Sequence, residues 1–174
     1  MSSGVTTAID VDAPLLPIRA PACMKLMPIS EITPTKILTA EISGIAPAVS
    51  AGLHMDVPVV FARKHKPITM PDQVLLTLSP SHTKGRMVEL IVSPEYLGQG
   101  ERVLIIDDFL ATGKTIEGLI HLAETAGSLV VGVGALIEKT FEEGRRHLEE
   151  RGILVHSLAR IKSMNENEII FHKS

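Results

Sequence analysis

The residues best suited to chemistry sit together in one stretch, Val103-Leu104-Ile105-Ile106-Asp107-Asp108-Phe109-Leu110-Ala111-Thr112-Gly113-Lys114-Thr115. An apolar run leads into two adjacent carboxylates, then a loop of small residues, then the start of a helical pattern. A helix start offers unpaired backbone N–H groups and the positive end of the helix dipole, which together hold a phosphate. Gly113 lets the backbone approach an anion closely and take dihedrals closed to other residues. Thr112 and Thr115 add hydroxyl donors. Asp107 and Asp108 would repel a phosphate if aimed at it. A few residues upstream, they can instead accept hydrogen bonds from sugar hydroxyls. Carboxylates beside a phosphate cradle therefore point to a phosphorylated sugar. Two other readings of the same residues stand beside this one. Gly113-Lys114-Thr115 could end a nucleotide-binding P-loop, but that loop needs glycine where the chain has Asp108. The stretch could also be a structural turn with two solvated aspartates.

These residues need a scaffold, and the pattern of the chain supplies one. Residues 36–42 read as a strand, 43–44 as a turn and 46–53 as a short helix. The run 57–62 is continuous and β-branched, as in a strand buried on both faces. Residues 87–92 and 103–107 are further strands. Residues 115–126 form an amphipathic helix with Ile116, Leu119, Ile120 and Leu122 toward the core. A strand at 128–137, a charged helix at 142–151, a strand at 153–159 and an edge strand at 168–171 complete the series. Strands alternating with helices predict an α/β fold with a mostly parallel sheet covered on both faces. Ligands of such sheets bind at the carboxyl ends of the strands. Residues 71–86 contain Pro71, Pro80 and Gly85 and read as a long mobile cover between two strands.

Size and composition narrow the function classes. A chain of 174 residues fits one domain, and 45% hydrophobic residues suffice for a core without staples. The net charge of −3 argues against nucleic acid and acidic membrane partners. Cys23 is the sole cysteine, which excludes an internal disulfide and suits a reducing cytoplasm. No apolar run approaches the ~20 residues of a spanning helix, and no basic-then-apolar leader opens the chain. The seven histidines have no metal-ligand spacing, so no protein-built metal site is expected. Pro14, Pro17, Pro21, Pro28 and Pro34 break any helix near the start, giving an irregular arm at 1–35 and a single domain at 36–174.

The 103–115 segment resembles the phosphoribosyl pyrophosphate signature of the type I phosphoribosyltransferases. Four more segments resemble the bacterial xanthine-salvage branch of that family. They are residues 41–49, residues 57–66, Ile137-Glu138-Lys139 with Phe141 and Gly144-Arg145, and residues 157–161. The resemblance covers about 36–171. It implies the type I phosphoribosyltransferase fold, a twisted and mostly parallel sheet flanked by helices, with a reduced or atypical N-terminal hood. It implies transfer of a 5-phosphoribosyl group from phosphoribosyl pyrophosphate to N9 of xanthine, giving xanthosine 5′-monophosphate and pyrophosphate. Another 6-oxopurine, guanine or hypoxanthine, is the nearest variant; a phosphoribosyl pyrophosphate binder with weak or no catalysis is the other. By the same resemblance, Ala111, Thr112, Gly113, Lys114 and Thr115 hold the 5-phosphate, and Asp107 and Asp108 face the ribose hydroxyls. Ser43, Gly44, Arg63, Lys64 and Lys66 meet the pyrophosphate, and Lys139 reaches the purine. Residues 71–86 close over the substrates, with Lys84 as the cover's phosphate-reaching cation and, with the two aspartates, a candidate for the catalytic step. Magnesium is the implied cofactor, held mainly by substrate oxygens. The implied assembly is a homodimer. The family's asparagine over the base has no counterpart in the arm, because the only asparagines are Asn165 and Asn167.

Overall fold

A computed structural model describes residues 32–80 and 87–172. Eight strands and three helices follow one another: β1 (Lys36–Ala40), α1 (Ile45–Met55), β2 (Val59–Ala62), β3 (Leu75–Pro80), β4 (Met87–Val92), β5 (Arg102–Leu110), α2 (Lys114–Thr125), β6 (Leu129–Lys139), α3 (Gly144–Glu150), β7 (Val155–Met164) and β8 (Ile169–Phe171). The main sheet has the order β2-β1-β5-β6-β7-β8. Its first five strands are parallel, and β8 folds back antiparallel on β7. Asn165 makes that last reversal, its Oδ1 accepting the N–H groups of Asn167 and Glu168 at 2.9 Å.

Alternation along each strand divides the core in two. Leu38, Val103, Ile105, Val133 and Ala135 pack with Ile116, Leu119, Ile120 and Ala123 of α2. Ile37, Leu104 and Ile106 pack on the other face with Ala48 and Ala51 of α1, joined by Ile32. The two helices thus leave neighbouring strands on opposite faces. β1 passes through α1 to β2 on one side, and β5 passes through α2 to β6 on the other. The direction of winding reverses between β1 and β5, and such a reversal opens a crevice at their carboxyl ends.

Within the stretch 71–86, expected as a mobile cover, the structure places a strand, β3. Leu75, Leu76, Thr77 and Leu78 pair with Val92, Ile91, Leu90 and Glu89, making a separate antiparallel hairpin. Pro80 is no obstacle, because it ends a strand that has no second neighbour among the described residues. The hairpin leans on α2, where Ser79 Oγ donates to the Lys114 carbonyl at 3.0 Å. Residues 81–86, including Ser81, Thr83 and Lys84, lie outside the described residues. So does the arm up to residue 31, and with it the expected N-terminal hood. No helix among the described residues is long and apolar enough to cross a membrane.

Gly52 limits how closely α1 approaches its own sheet. A Cβ there would stand 2.5 Å from Val59 Cγ2 and 2.8 Å from the Val57 carbonyl oxygen. Alanine gains up to ~1 kcal/mol of helix propensity, but overpacking against backbone costs about 1–3 kcal/mol. We predict that Gly52→Ala lowers the unfolding free energy by about 1–2 kcal/mol in urea titration.

Candidate functional site

At the crevice, two adjacent parallel strands deliver the polar residues. The chain leaves β1 through a tight turn at 41–44, whose Glu41–Ile42 peptide is cis. Gly44 closes this turn against the end of β5. A Cβ on Gly44 would overlap Thr39 Oγ1 and lie 2.8 Å from Asp107 Oδ1 and 3.1 Å from the Ala40 carbonyl oxygen. The predicted glycine of the first loop and the predicted aspartate of the second therefore touch. Ser43 stands exposed beside Gly44.

β5 runs on to Leu110, three residues beyond the expected end at Asp107. The reason is β6, which continues to Lys139 and pairs Phe109 with Ile137 and Leu110 with Glu138. Asp107 and Asp108 are thus fixed in a strand end rather than in a loop. Their side chains alternate: Asp107 is 7% exposed, whereas Asp108 is partly open. Burial pushes the Asp107 carboxyl up to about 7, and the neighbouring Asp108 carboxyl adds to the rise. The Asp108 N–H, at 3.0 Å from Asp107 Oδ1, and the Lys64 charge oppose it.

The 111–113 loop then turns into α2 through Gly113, whose φ of +79° belongs to the left-handed region. Gly113 caps the helix without any side-chain hydrogen bond, so the N–H groups of the first turn point out of the helix end. Ala111, Thr112, Gly113, Lys114 and Thr115 all lie here. Lys114 is exposed, and Thr115 is half-buried.

The basic cluster after β2 divides. The Lys64 backbone N–H donates to Glu41 Oε1 at 2.6 Å, tying this segment to the 41–44 turn. Arg63 is drawn elsewhere. Its backbone bridges to Ile91 of β4, and its guanidinium lies over the Phe61 ring at 5.0 Å. There it lines a cleft of about 240 Å³ with Val60, Met70, Val92 and Tyr96. Lys66 pairs with the exposed Asp72 at 3.4 Å, a contact worth little in water. Of the three cations expected together, the geometry brings only Lys64 to the turn.

Lys139, at the end of β6, lies between two rings, 5.4 Å from the centre of Phe109 and 6.0 Å from that of Phe141. Both rings are more than a third exposed. A cation flanked by two open aromatic faces can hold a flat, oxygen-bearing ring. The sequence names Lys139 but not Phe109. The available signal is scarcity, since the chain has four phenylalanines and three of them, Phe61, Phe109 and Phe141, lie in the motif segments.

Two further residues escape the sequence reading. Thr39 Oγ1 is fully buried and has no hydrogen-bond partner among the described residues. In sequence it is one more β-branched residue of a strand. Glu138 is 1% exposed and grips Arg145 with both oxygens, at 2.7 Å to Nε and 2.7 Å to Nη2. Burial works to raise the Glu138 carboxyl, but Arg145 and Ser157 outweigh it and hold it below the ordinary carboxylate range. Among the described residues, no group of three or more His, Cys, Asp or Glu side chains is placed to hold a metal.

The raised Asp107 sets a pH dependence. A carboxyl near 7 in the folded state and 3.8 in the unfolded chain favours folding while protonated. That stability is complete below about pH 4 and is lost as pH rises through 7. We predict that Asp107→Asn is more stable than the parent at pH 8, by up to about 4 kcal/mol. The gain should vanish as the melts approach pH 4, and an equal gain at both pH values would refute the buried-acid argument.

Comparison with known proteins identifies the chain's relatives. The sequence matches the phosphoribosyl transferase domain family over residues 29–167. It is 52% identical to the xanthine phosphoribosyltransferase of Leuconostoc mesenteroides subsp. mesenteroides over 136 residues, covering 78% of this chain and 72% of that protein. It is 50% identical to the xanthine phosphoribosyltransferase of Latilactobacillus sakei subsp. sakei over 137 residues, 79% of this chain and 70% of the relative. Among solved structures, adenine phosphoribosyltransferase from Rhodothermus marinus superposes with a TM-score of 0.69 at 31% identity, covering 82% of this chain and 77% of that one. The enzyme of the same name from Thermoanaerobacter pseudethanolicus gives 0.69 at 28% identity over 81% and 77%. With a family match across most of its length and relatives at half identity, the chain belongs to the phosphoribosyltransferases.

Proposed function

We propose that this protein transfers a 5-phosphoribosyl group from phosphoribosyl pyrophosphate to N9 of xanthine. The reading is carried by one juxtaposition: the Gly44 turn, the Asp107–Asp108 pair and the Gly113 helix start converge at the ends of two adjacent strands. It occurs in a chain half identical to proteins named xanthine phosphoribosyltransferase.

The roles follow from position. The N–H groups of 113–115 and the Thr112 and Thr115 hydroxyls receive the 5-phosphate at the positive end of α2. Asp108, on the open side of the strand end, and Asp107 beneath it accept the ribose hydroxyls. The 41–44 turn, with Ser43 and Gly44, lets its backbone approach the pyrophosphate, and Lys64 brings a positive charge that acts on Asp107. Lys139 donates to a base carbonyl while Phe109 and Phe141 flank the ring. Lys84 belongs to the proposal as the cation of the 81–86 segment. Arg63 and Lys66, engaged with Phe61 and Asp72, would need to change partners to join them.

No protein nucleophile is required. The bond from ribose C1 to the pyrophosphate oxygen breaks as that to N9 forms, and N9 releases its proton to solvent. Positive charge grows on the ribose ring, so stabilising the leaving group lowers the barrier. The donors at the site are hard oxygens, from Asp107, Asp108 and Thr39, whose hydroxyl has no partner among the described residues; this suits a magnesium ion that keeps most of its ligands from substrate and water. When bound, that ion supplies charge neutralisation and a template for the substrate oxygens. The chain's part is to fix the sugar, hold the phosphate and orient the base.

The test is nucleotide formation from xanthine, guanine, hypoxanthine and adenine, each with phosphoribosyl pyrophosphate and magnesium. Xanthine should give the highest kcat/KM; preference for adenine, or no product from any base, would overturn the proposal. Asp107→Asn with Asp108→Asn should lower kcat/KM by more than about a hundredfold, since two hydrogen bonds to charged groups are lost. Lys139→Ala should raise the KM for xanthine by about ten- to a hundredfold with a smaller change for phosphoribosyl pyrophosphate.

A further inference from the structure

We infer that Gly144, Arg145 and Glu138 form a brace that sets the spacing between the phosphate loop and Lys139, with Glu138 and Arg145 as positioning residues. The inference rests on the reading of residues 111–115 as the phosphate cradle. Three contacts carry it.

The first is backbone on backbone. The Gly144 N–H donates to the Ala111 carbonyl at 3.0 Å. A Cβ on Gly144 would overlap that carbonyl oxygen and lie 2.8 Å from both Gly113 N and Leu110 Cδ1. From the other side, a Cβ on Gly113 would come within 3.1 Å of Gly144 Cα. The outer wall of the phosphate loop is therefore Gly144, and no side chain fits between them. At this position a glycine serves packing against the loop rather than backbone freedom.

The second is the anchor of that wall. Arg145, the next residue, sends a two-pronged bond to Glu138 at 2.7 Å on each oxygen. Its remaining nitrogen donates to the Val155 carbonyl at 2.9 Å and to Glu149 Oε1 at 3.0 Å. The start of α3 is thereby pinned to the carboxyl end of β6 and the start of β7 at once. Arg160 Nε adds a second cation 3.4 Å from Glu138 Oε2.

The third is the neighbour of the anchor. Glu138 immediately precedes Lys139, and successive side chains of a strand point to opposite faces. Fixing the Glu138 carboxylate under Arg145 aims Lys139 the other way, between Phe109 and Phe141. One buried ion pair thus holds the phosphate loop through Gly144 and the base-side lysine through the strand. Neither Glu138 nor Arg145 needs to touch substrate to govern both halves of the site.

The experiment uses the full chain as Gly144→Ala, Glu138→Gln and Arg145→Lys, with three readouts: melting temperature, calorimetric Kd for ribose 5-phosphate, and separate KM values for phosphoribosyl pyrophosphate and xanthine. Gly144→Ala should weaken ribose 5-phosphate by about tenfold or more while the KM for xanthine stays within about twofold, as expected when one group is displaced by a fraction of an ångström. Glu138→Gln should raise both KM values. Arg145→Lys, which keeps the charge but loses the fork, should fall between parent and Glu138→Gln. Gly144→Ala lies outside the ion pair, so it decides the matter even if Glu138→Gln fails to fold. Variants that melt lower but keep the ribose 5-phosphate Kd and both KM values would reduce the brace to a stability element and overturn the inference. A parent protein that does not bind ribose 5-phosphate would overturn both the cradle and the brace, so the two failures read differently.

Discussion

The parallel contact between β1 and β5 is the constraint on which this molecule depends. Leu38 lies opposite Ile105 in that pairing, and the chain leaves the two strands over opposite faces of the sheet. The segments that follow the two strands meet at their carboxyl ends, where Gly44 lies against Asp107. Only a residue without a side chain permits the approach, because a Cβ on Gly44 would collide with Thr39 and crowd Asp107. The same closeness buries Asp107. The chemistry of the acid pair is therefore a product of strand packing.

Two buried carboxylates show how differently one protein can treat the same group. Asp107 is removed from water with another carboxyl beside it, and its proton is held up to about 7. Glu138 is removed from water under an arginine fork, and its proton is driven off. The second arrangement is closed: both oxygens are bonded, and the pair locks elements together. The first is open, with a threonine hydroxyl near it that has no partner among the described residues and a partly accessible acid next to it. A carboxyl left close to its titration point beside an opening answers to whatever ligand enters.

The β3–β4 hairpin belongs to the same logic. Its strands lie outside the main sheet, yet Leu90 and Val92 share the core formed by α2, and Ser79 bonds to the first turn of that helix. The helix whose start faces the crevice is thus packed from two sides.

Much of this could be read directly from the chain. Residues 103–115 go from a continuous apolar run to acids, small residues and helix periodicity, and local preference alone fixes that order. The helix over 115–126 and the strands at 36–42 and 128–137 carry patterns strong enough to survive within two residues at each end. The turn at Gly44 and the left-handed Gly113 follow from what glycine permits. Other features depend on partners distant in sequence. β5 extends past Asp107 because β6 is there to pair with it, and β3 exists because β4 lies alongside. Arg63 and Lys66 look equivalent to Lys64 in a row of basic residues, but Phe61 and Asp72 capture them. The proton affinity of Asp107, the burial of the Thr39 hydroxyl and the grip of Glu138 on Arg145 likewise have no local signature. Burial and charge proximity are set by which strands become neighbours, and a one-dimensional pattern does not contain that distance.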